Sequence, residues 1–142
     1  MTHTLKIKTE DKGLLWTRKD NTDTCYDVRC DRDFTVKAGE YEMVSTGVAL
    51  GIPAGYWVRI EARSGLACKH GVLIGAGVID NSYVGEVKVM FYNGGKEDLS
   101  FSKYDRIAQA RISMLEDFVL EEVDSLEETS RGEKGFGSSG VK

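Results

Sequence analysis

Residues 75–93 read GAGVIDNSYVGEVKVMFYN, a glycine-dense segment followed by a strongly alternating one. In the alternating part, Val87, Val89 and Phe91 lie on one face of an extended chain, and polar or mixed residues lie on the other. This two-residue period predicts a strand with one buried face. A second apolar run, residues 72–74, stands just before the glycines. We therefore predict two strands that flank the glycine-dense segment, as in a hairpin.

The carboxylate of Asp80 stands between these strands, directly after the apolar pair Val78-Ile79. An aspartate in such a place has two interpretations. It accepts hydrogen bonds within the turn, as turn aspartates commonly do, or it is held there for chemistry. Taken alone, the turn interpretation is the more common one, and the rest of the chain has to decide between them.

Short strand-like runs separated by Gly, Asp, Asn or Pro continue along the chain. They are residues 5–8, 25–28, 34–36, 42–46, 48–50, 56–60, 99–101, 106–112 and 118–123. The best helical candidate is Ser64–Lys69, with Ser64 as its N-cap. Many short strands at close spacing predict an all-β sandwich or barrel with one short helix.

The composition changes near residue 124, where an acidic stretch leads into RGEKGFGSSG at residues 131–140. Composition by itself favours a flexible tail, but Arg131 and Phe136 are not typical linker residues. Glycine-rich backbone and serine hydroxyls can bind phosphate oxygens, and a phenylalanine can stack on a base. We therefore predict one domain over residues 1–124, with a linker and a flexible arm over residues 125–142 that orders over a nucleotide.

The 142 residues carry a net charge of −4, which suits a single domain and argues against a general nucleic-acid surface. No apolar run approaches the roughly 18 residues of a membrane span, and the N-terminus has no apolar signal core. The three cysteines form no Cys-x-x-Cys pair, so we expect a reduced, cytoplasmic chain, or one in the host cytoplasm if the source is viral. With only His3 and His70, the chain does not favour a zinc site or a histidine-dependent triad.

Several polar residues have both a structural and a functional interpretation. Arg63-Ser64-Gly65, at the start of the candidate helix, is either an ordinary cap or an anion site. Gln109 is either a solvated strand residue or a hydrogen-bond donor to a phosphate. Asp27 is either a turn acceptor or a magnesium ligand that acts through water. Each of these signals is weak by itself.

Five segments nevertheless occur in one order: YDV at 26–28, RSG at 63–65, GVIDxxYxG at 77–85, DRIAQ at 105–109 and RGxxGFGSSG at 131–140. Together they resemble the trimeric dUTP pyrophosphatase (dUTPase) family over nearly the whole chain, from Leu5 to Gly140. The resemblance implies a distorted jelly-roll, a β-barrel-like sandwich of short strands. It also implies a homotrimer that hydrolyses dUTP to dUMP and pyrophosphate with Mg²⁺ on the triphosphate. Such an enzyme keeps uracil out of DNA and supplies dUMP for thymidylate synthesis.

The resemblance assigns roles to residues around the predicted hairpin. Asp80 matches the aspartate that orients and deprotonates the water that attacks the α-phosphorus, a role that suits a carboxylate. Backbone groups of Gly77, Val78 and Ile79 match those that bind uracil, and small residues here are expected to keep the pocket open. Tyr83 matches the aromatic residue that packs on the deoxyribose and excludes a 2′-hydroxyl.

The other segments match phosphate, metal and lid positions of the family. The phosphate contacts are assigned to Arg63, Ser64, Gly65, Arg106 and Gln109. Asp27 is assigned to hold a magnesium-bound water. The arm is expected to close over the γ-phosphate and the base in a neighbouring subunit's site, with contacts from Arg131, Phe136, Gly137, Ser138 and Ser139.

The chain departs from the family pattern at a few positions. Thr24-Cys25 stands where Ala-Gly is usual, and the single replacements are Ala62 for a common proline, Tyr104 for a glycine, Ala110 for a leucine and Ser139 for a threonine. None of these removes a group assigned to catalysis, so we expect changes in local geometry and not loss of activity.

Two alternative functions are weighed beside this one. A deoxycytidine triphosphate deaminase resembles the same fold, but it needs a general base, typically a glutamate, in the base pocket, and Gly75-Ala-Gly77 offers none. A nucleotide-sensing or partner-binding module is the other, because fold does not fix function. A secondary protein partner is compatible with the enzyme, but no residue identifies one.

Overall fold

The computed structural model describes residues 2–142, which contain ten β-strands, one α-helix and one short 3₁₀ helix. In chain order the elements are β1 (Lys6–Lys8), the 3₁₀ helix (Lys12–Leu14), β2 (Tyr26–Arg29), β3 (Phe34–Val36), β4 (Tyr41–Gly51), β5 (Tyr56–Glu61), α1 (Ser64–His70), β6 (Val72–Gly75), β7 (Val78–Ile79), β8 (Glu86–Asn93), β9 (Leu99–Phe101) and β10 (Arg106–Met114). The prediction of an all-β chain with one short helix is confirmed.

The strands form three antiparallel sheets, and in the described chain none of them closes into a barrel. The orders are β1-β4-β8-β6, β2-β10-β5-β7 and β3-β9. The predicted hairpin strands, β6 and β8, pair directly, with Ile74 opposite Phe91. Between them the chain crosses to the second sheet, where Val78 and Ile79 form β7 beside β5. The result is the expected jelly-roll-like sandwich in an open form.

The buried face of β8 lies at the centre of the core. Val87, Val89 and Phe91 are all fully buried, as their alternation predicts. The ring of Phe91 meets those of Phe34 and Phe101 edge-on, with ring centroids 5.6 and 5.2 Å apart. Each such side chain contributes about 1.5–3 kcal/mol by leaving water. Since Phe34 and Phe101 come from β3 and β9, this cluster packs the two-stranded sheet against the four-stranded sheet that contains β8.

One long strand, β4, replaces the two short strands predicted over residues 42–50. The break predicted at Gly47 is a bulge, because the register with β8 shifts between Ser45 and Ala49. Gly47 has φ +68°, and a Cβ there would collide with the side chain of Leu14. A bulge bends a strand without ending it, which explains why a glycine here interrupts the alternation and not the strand.

The helix α1 lies where the sequence predicts it, but its cap differs. Arg63 occupies the N-cap position without a side-chain capping bond, and Ser64 is the first helical residue. The helix ends at Gly71, whose φ of +67° is the left-handed conformation that glycine tolerates. The N-cap assigned to Ser64 is therefore wrong. Its hydroxyl has no hydrogen-bond partner in the described residues.

Regular structure ends at Met114, and residues 115–142 contain neither helix nor strand. The strand predicted over residues 118–123 is wrong, because Phe118, Val119 and Leu120 are 73–96% exposed and pair with no other segment of the described chain. An isolated extended segment cannot satisfy its backbone in a sheet. The domain boundary near residue 124 stays a prediction. No helix in residues 2–142 is long and apolar enough to cross a membrane.

Candidate active site

The residues assigned from sequence fall into three separate places. We call Val78, Ile79, Asp80 and Tyr83 the pocket group, because they line one cavity. We call Asp27, Arg63, Arg106 and Gln109 the charged group, because ion pairs and sheet register bring them together. The arm, residues 131–140, is the third, and it contacts neither group through a hydrogen bond or ion pair in the described chain.

The pocket group lines a cavity of about 340 Å³ between β4, β7 and β8. Its complete lining is Met43, Ala76, Val78, Ile79, Asp80, Tyr83, Glu86, Val87 and Lys88. Sequence reasoning missed Met43, Glu86 and Lys88. The alternation of β8 places Glu86 and Lys88 on its outward face, but only the pairing of β4 with β8 brings Met43 to the same cavity.

The carboxylate of Asp80 is exposed at the end of β7 and makes no side-chain hydrogen bond within the described chain. The turn that follows is closed by backbone alone, because the N–H of Tyr83 donates to the carbonyl of Asp80 at 3.0 Å. The turn therefore does not use the carboxylate. This observation removes the main structural interpretation of Asp80 and leaves a free base facing a cavity.

Tyr83 is held across the mouth of the cavity by its own turn. Its hydroxyl donates to the carbonyl of Glu86 at 2.7 Å. Gly85 leaves room for this arrangement, since a Cβ at residue 85 would lie 2.6 Å from the tyrosine hydroxyl. The chain itself therefore restrains the orientation of the ring.

Gly75 and Gly77, before Asp80, are glycines for a different reason from the one expected. A Cβ on Gly75 would lie 2.7 Å from the sulfur of Met90, and one on Gly77 would collide with the carbonyl oxygen of Ile60. That same Ile60 donates its N–H to the carbonyl of Gly77 at 2.8 Å. Close packing against β8 and β5 therefore explains the small residues at 75 and 77, and Ala76 is the one of the three that lines the cavity.

The charged group is built around Asp27 on β2. Its carboxylate lies between two guanidinium groups, 3.7 Å from Arg63 and 3.5 Å from Arg106. Arg63 also donates to the backbone carbonyl of Arg106 at 3.1 Å. Two arginines and one carboxylate leave a net positive charge at the start of α1. Such a site suits a phosphate, which arginine binds in a bidentate manner.

Gln109 belongs to the same surface through sheet register. It stands opposite Asp27 on one side and Glu61 on the other. Its amide donates to the carbonyl of Ala62 at 3.0 Å, which ties β10 to the segment that carries Arg63 and Ser64. The glutamine is therefore an ordered donor beside the arginines and not a solvated edge residue.

A second carboxylate on this surface, Glu61, was missed by sequence reasoning. It pairs with Arg111 at 2.6 Å and with Arg59 at 3.5 Å, so both arginines are engaged away from Asp27. Beside it, burial raises the pKa of the Cys25 thiol, and the charge of Glu61 adds to the effect. Cys25 is therefore a neutral thiol at neutral pH, and the Thr24-Cys25 departure introduces no charge into the charged group.

The charged and pocket groups stand at opposite ends of β5. Asn81, next to Asp80, donates to the carbonyl of Tyr56 at the first residue of this strand, whereas Arg63 follows its last residue. Six residues of extended chain between positions 57 and 63 span about 20 Å. The backbone of Arg63 is therefore farther from the Asp80 turn than the length of one triphosphate.

Asp27 fits a magnesium ion that arrives with a triphosphate. Its side chain is 22% exposed and accessible from the charged surface. No cluster of three or more His, Cys, Asp or Glu that could hold a metal ion occurs in the part of the chain that the structure describes. Magnesium bound to phosphates keeps several waters and needs only one or two carboxylates from the protein. A single carboxylate that contacts the ion through water is compatible with this donor set.

The arm residues are displayed to solvent. Phe136 is fully exposed, with a φ of +49°, and Arg131 donates to the carbonyl of Lys134 at 2.8 Å, within the arm itself. The serines and Gly137 lie in short turns. The contacts expected from Arg131, Phe136, Gly137, Ser138 and Ser139 with a nucleotide stay predictions.

Comparisons with known proteins agree with the five segments. A family model described as dUTPase matches residues 11–140. The chain is 45% identical over 116 residues to the deoxyuridine 5'-triphosphate nucleotidohydrolase of Saccharomyces cerevisiae, with 81% of this chain and 79% of that protein covered. It is 44% identical over 115 residues to the protein of the same name from Mus musculus, with 81% and 71% covered.

Solved structures give the same result. The dUTPase of Staphylococcus bacteriophage 80alpha, solved with dUPNHPP, is 29% identical, with a TM-score of 0.87 and 99% of this chain and 100% of that chain covered. A mutant dUTPase from phage phi11 of S. aureus, solved with a structural Mg(II) ion, has a TM-score of 0.79, with 89% of this chain and 100% of that chain covered. At 22% identity it supports the fold alone. On the family model and the sequence identities, the chain belongs to the dUTPase family.

Proposed function

We propose that this chain is a dUTP diphosphatase that hydrolyses dUTP to dUMP and pyrophosphate. The observation that carries the proposal is the carboxylate of Asp80, which lines a preformed cavity, is exposed, and has no hydrogen-bond or ion-pair partner in residues 2–142. A carboxylate accepts a proton from water most effectively when it is not already engaged. Membership of the dUTPase family supplies the reaction in which such a base is needed.

In this proposal the pocket group binds the nucleoside and performs the chemistry. Asp80 orients a water for in-line attack on the α-phosphorus and takes its proton. Tyr83, held by its bond to the carbonyl of Glu86, packs on the deoxyribose, and the fixed ring leaves no room for a 2′-hydroxyl. Backbone groups of residues 76–79 bind the uracil edge, and Gly77 keeps this segment close to β5.

The charged group binds the triphosphate. Arg63 and Arg106 exchange part of their pairing with Asp27 for phosphate oxygens, which form stronger bidentate hydrogen bonds with arginine. The free hydroxyl of Ser64 and the N–H of Gly65 lie at the start of α1, where leaving-group charge would be stabilised. Gln109 adds a donor. Asp27 would hold a water of the magnesium ion that accompanies the triphosphate, and that ion would supply charge neutralisation there.

A homotrimer is part of the proposal. The span of about 20 Å from position 57 to position 63 supports a site shared between copies of the chain, in which one copy supplies the pocket and another the arginines. The exposed arm supports a third contribution, in which Arg131, Phe136, Gly137, Ser138 and Ser139 close over the γ-phosphate and base. Cys25, Cys30 and Cys68 are free thiols, which supports a reducing, cytoplasmic location.

The proposal is tested by a nucleotide panel. Purified protein with Mg²⁺ is expected to release pyrophosphate from dUTP and almost none from dTTP, dCTP or UTP, because the pocket rejects the 5-methyl group, the cytosine amino group and the 2′-hydroxyl. Sedimentation of the same sample measures its mass in solution, which we expect to be that of a trimer. Similar rates with all four nucleotides, or no release from dUTP, would refute the assignment.

One observation is a reason to test the deaminase alternative with the same nucleotides. Glu86 lines the cavity, so a glutamate is present near the base pocket although Gly75-Ala-Gly77 contains none. If Glu86 acted as a base on cytosine, ammonia would be released from dCTP. We expect no ammonia, because the dUTPase family model matches nearly the whole chain.

A further inference from the structure

The turn that leads into β10 has a tyrosine in a backbone conformation that favours glycine. Residues 102–105 form this turn, closed by the N–H of Asp105, which donates to the carbonyl of Ser102 at 3.0 Å. Tyr104 occupies its third position with φ +76°. The third position of a type II turn requires a positive φ, which favours glycine. In this conformation the Cβ of any other residue comes too close to the following carbonyl oxygen. Something outside the turn must therefore hold Tyr104.

The side chain of Tyr104 is held by Asp11 and the 3₁₀ helix. Its hydroxyl donates to a carboxylate oxygen of Asp11 at 2.7 Å. Lys103 lies 3.5 Å from the same oxygen and 5.0 Å from the centroid of the tyrosine ring. The ring packs so closely on Gly13 that a Cβ there would lie 2.7 Å from it. Residues 93 positions apart in sequence are thus joined at one contact.

The backbone of Tyr104 is held by β2. Its N–H donates to the carbonyl of Cys30 at 2.9 Å, and its carbonyl accepts from the guanidinium of Arg29 at 3.0 Å. Arg29 is also the register partner of Arg106, the first residue of β10. The turn, β2 and the start of β10 are therefore fixed to one another.

Arg106 is two residues beyond Tyr104 and makes two contacts in the charged group. Its guanidinium pairs with Asp27 at 3.5 Å, and its carbonyl accepts from Arg63 at 3.1 Å. A change in the turn would move both contacts at once. We propose that Tyr104, clamped by Asp11, is a positioning residue that sets the place of Arg106 and, through it, of Arg63. This inference rests on the phosphate-binding role proposed above for those two arginines.

Three variants separate positioning from folding. Tyr104→Phe removes the clamp and keeps the ring, Asp11→Asn weakens the same clamp from the other side, and Tyr104→Gly relieves the strained φ but removes the ring. Tyr41→Phe is the matched control, because Tyr41 is an exposed tyrosine of β4 whose hydroxyl has no hydrogen-bond partner in residues 2–142. Each protein is assayed with dUTP and Mg²⁺ for KM and kcat.

The expected result is a rise in KM with little change in kcat. The Tyr104–Asp11 hydrogen bond is exposed, so its loss predicts an increase of about five-fold for Tyr104→Phe and for Asp11→Asn, the size of a typical net hydrogen bond. The double variant should be no worse than either single one, because both remove one contact. Tyr104→Gly should also raise KM although it folds. Unchanged KM in Tyr104→Phe and Asp11→Asn, or additive effects in the double variant, would overturn the inference.

A readout without substrate keeps this test separate from the proposed function. Hydrogen exchange of the amides of residues 105–108 should be at least about three-fold faster in Tyr104→Phe than in wild type, because the turn is less restrained. Exchange in β8 should not change. If wild-type protein fails to hydrolyse dUTP, the proposed function is wrong, and equal exchange at residues 105–108 would refute the clamp by itself.

Discussion

The pocket and charged groups, at the two ends of β5, differ in what their side chains do without a ligand. In the pocket group the carboxylate of Asp80 has no partner among the described residues, and the ring of Tyr83 is held by its hydroxyl's hydrogen bond to the carbonyl of Glu86. In the charged group Arg63 and Arg106 are both paired with Asp27. The pocket is therefore preorganised, whereas the arginines must give up existing partners to bind phosphate. Substitutions in the first should affect the chemical step, and substitutions in the second should affect binding and metal dependence.

The largest effect is expected from Asp80→Asn. The amide keeps the shape of the carboxylate but cannot take a proton, so kcat should fall about 10²- to 10⁴-fold, the range of general-base catalysis. Binding of dUTP, measured by calorimetry with Mg²⁺, should stay within about three-fold of wild type. Ser82→Ala, an exposed change in the same turn, is the control. A variant that retained turnover would show that the base lies elsewhere.

The next largest effect is expected from removal of the arm. A chain ending at Ser130 should keep its oligomeric mass and lose about 10²-fold in kcat/KM, because a closing segment excludes water and completes the site. A chain ending at Gly140 lacks only the last two residues and should behave as wild type. Full activity of the shorter chain would refute the role assigned to Arg131 and Phe136.

A smaller effect is expected from Asp27→Asn. The ion pairs of Asp27 with Arg63 and Arg106 are half exposed, and such pairs contribute about 0–1 kcal/mol each. Their loss should change the unfolding equilibrium constant, and kcat at saturating Mg²⁺, by no more than about five-fold relative to wild type. The Mg²⁺ concentration for half-maximal rate should rise, because the metal-bound water loses its acceptor. An unchanged Mg²⁺ titration would remove Asp27 from the proposed metal contacts.

The smallest effect concerns the support of the charged group at acid pH. The Tyr104 hydroxyl, followed by the N–H of Gly13 and the charge of Lys103, holds the pKa of Asp11 below its ordinary value of 3.8. Asp11 therefore stabilises the folded chain above pH 3.8, and this contribution is lost as the pH falls through its lowered pKa. The Tm difference between wild type and Asp11→Asn should shrink on acidification below pH 3.8. A difference that grows on acidification would contradict this.

Much of the fold was predictable because its signals are local. Alternation predicted β8 and its buried face, and α1 covers the predicted range Ser64–Lys69 and one further residue. The strand proposed over residues 118–123 failed for the opposite reason. Its apolar composition suits a strand, but a strand exists only when a partner pairs with it, and pairing is not encoded locally.

The candidate site shows the same division. The order of the five segments identified the family and named Asp80, Arg63 and Gln109, since these depend on residue type and spacing. The sequence did not reveal that Gly75 and Gly77 are small because β8 and β5 pack on them, or that Lys88 and Met43 line the cavity. These contacts join residues that are distant in sequence.

The segment 75–93 summarises what each level determined. Its sequence determined a strand, a carboxylate directly after an apolar pair and a tyrosine three positions later, because these follow from periodicity and chemistry. Only the tertiary structure decided that the Asp80 carboxylate has no partner in residues 2–142, and that Asp80 and Arg63 lie toward opposite ends of β5. Which polar groups stay unpaired, and how far apart the site residues lie, depend on which strands become neighbours. The energy that selects those neighbours comes from the core as a whole.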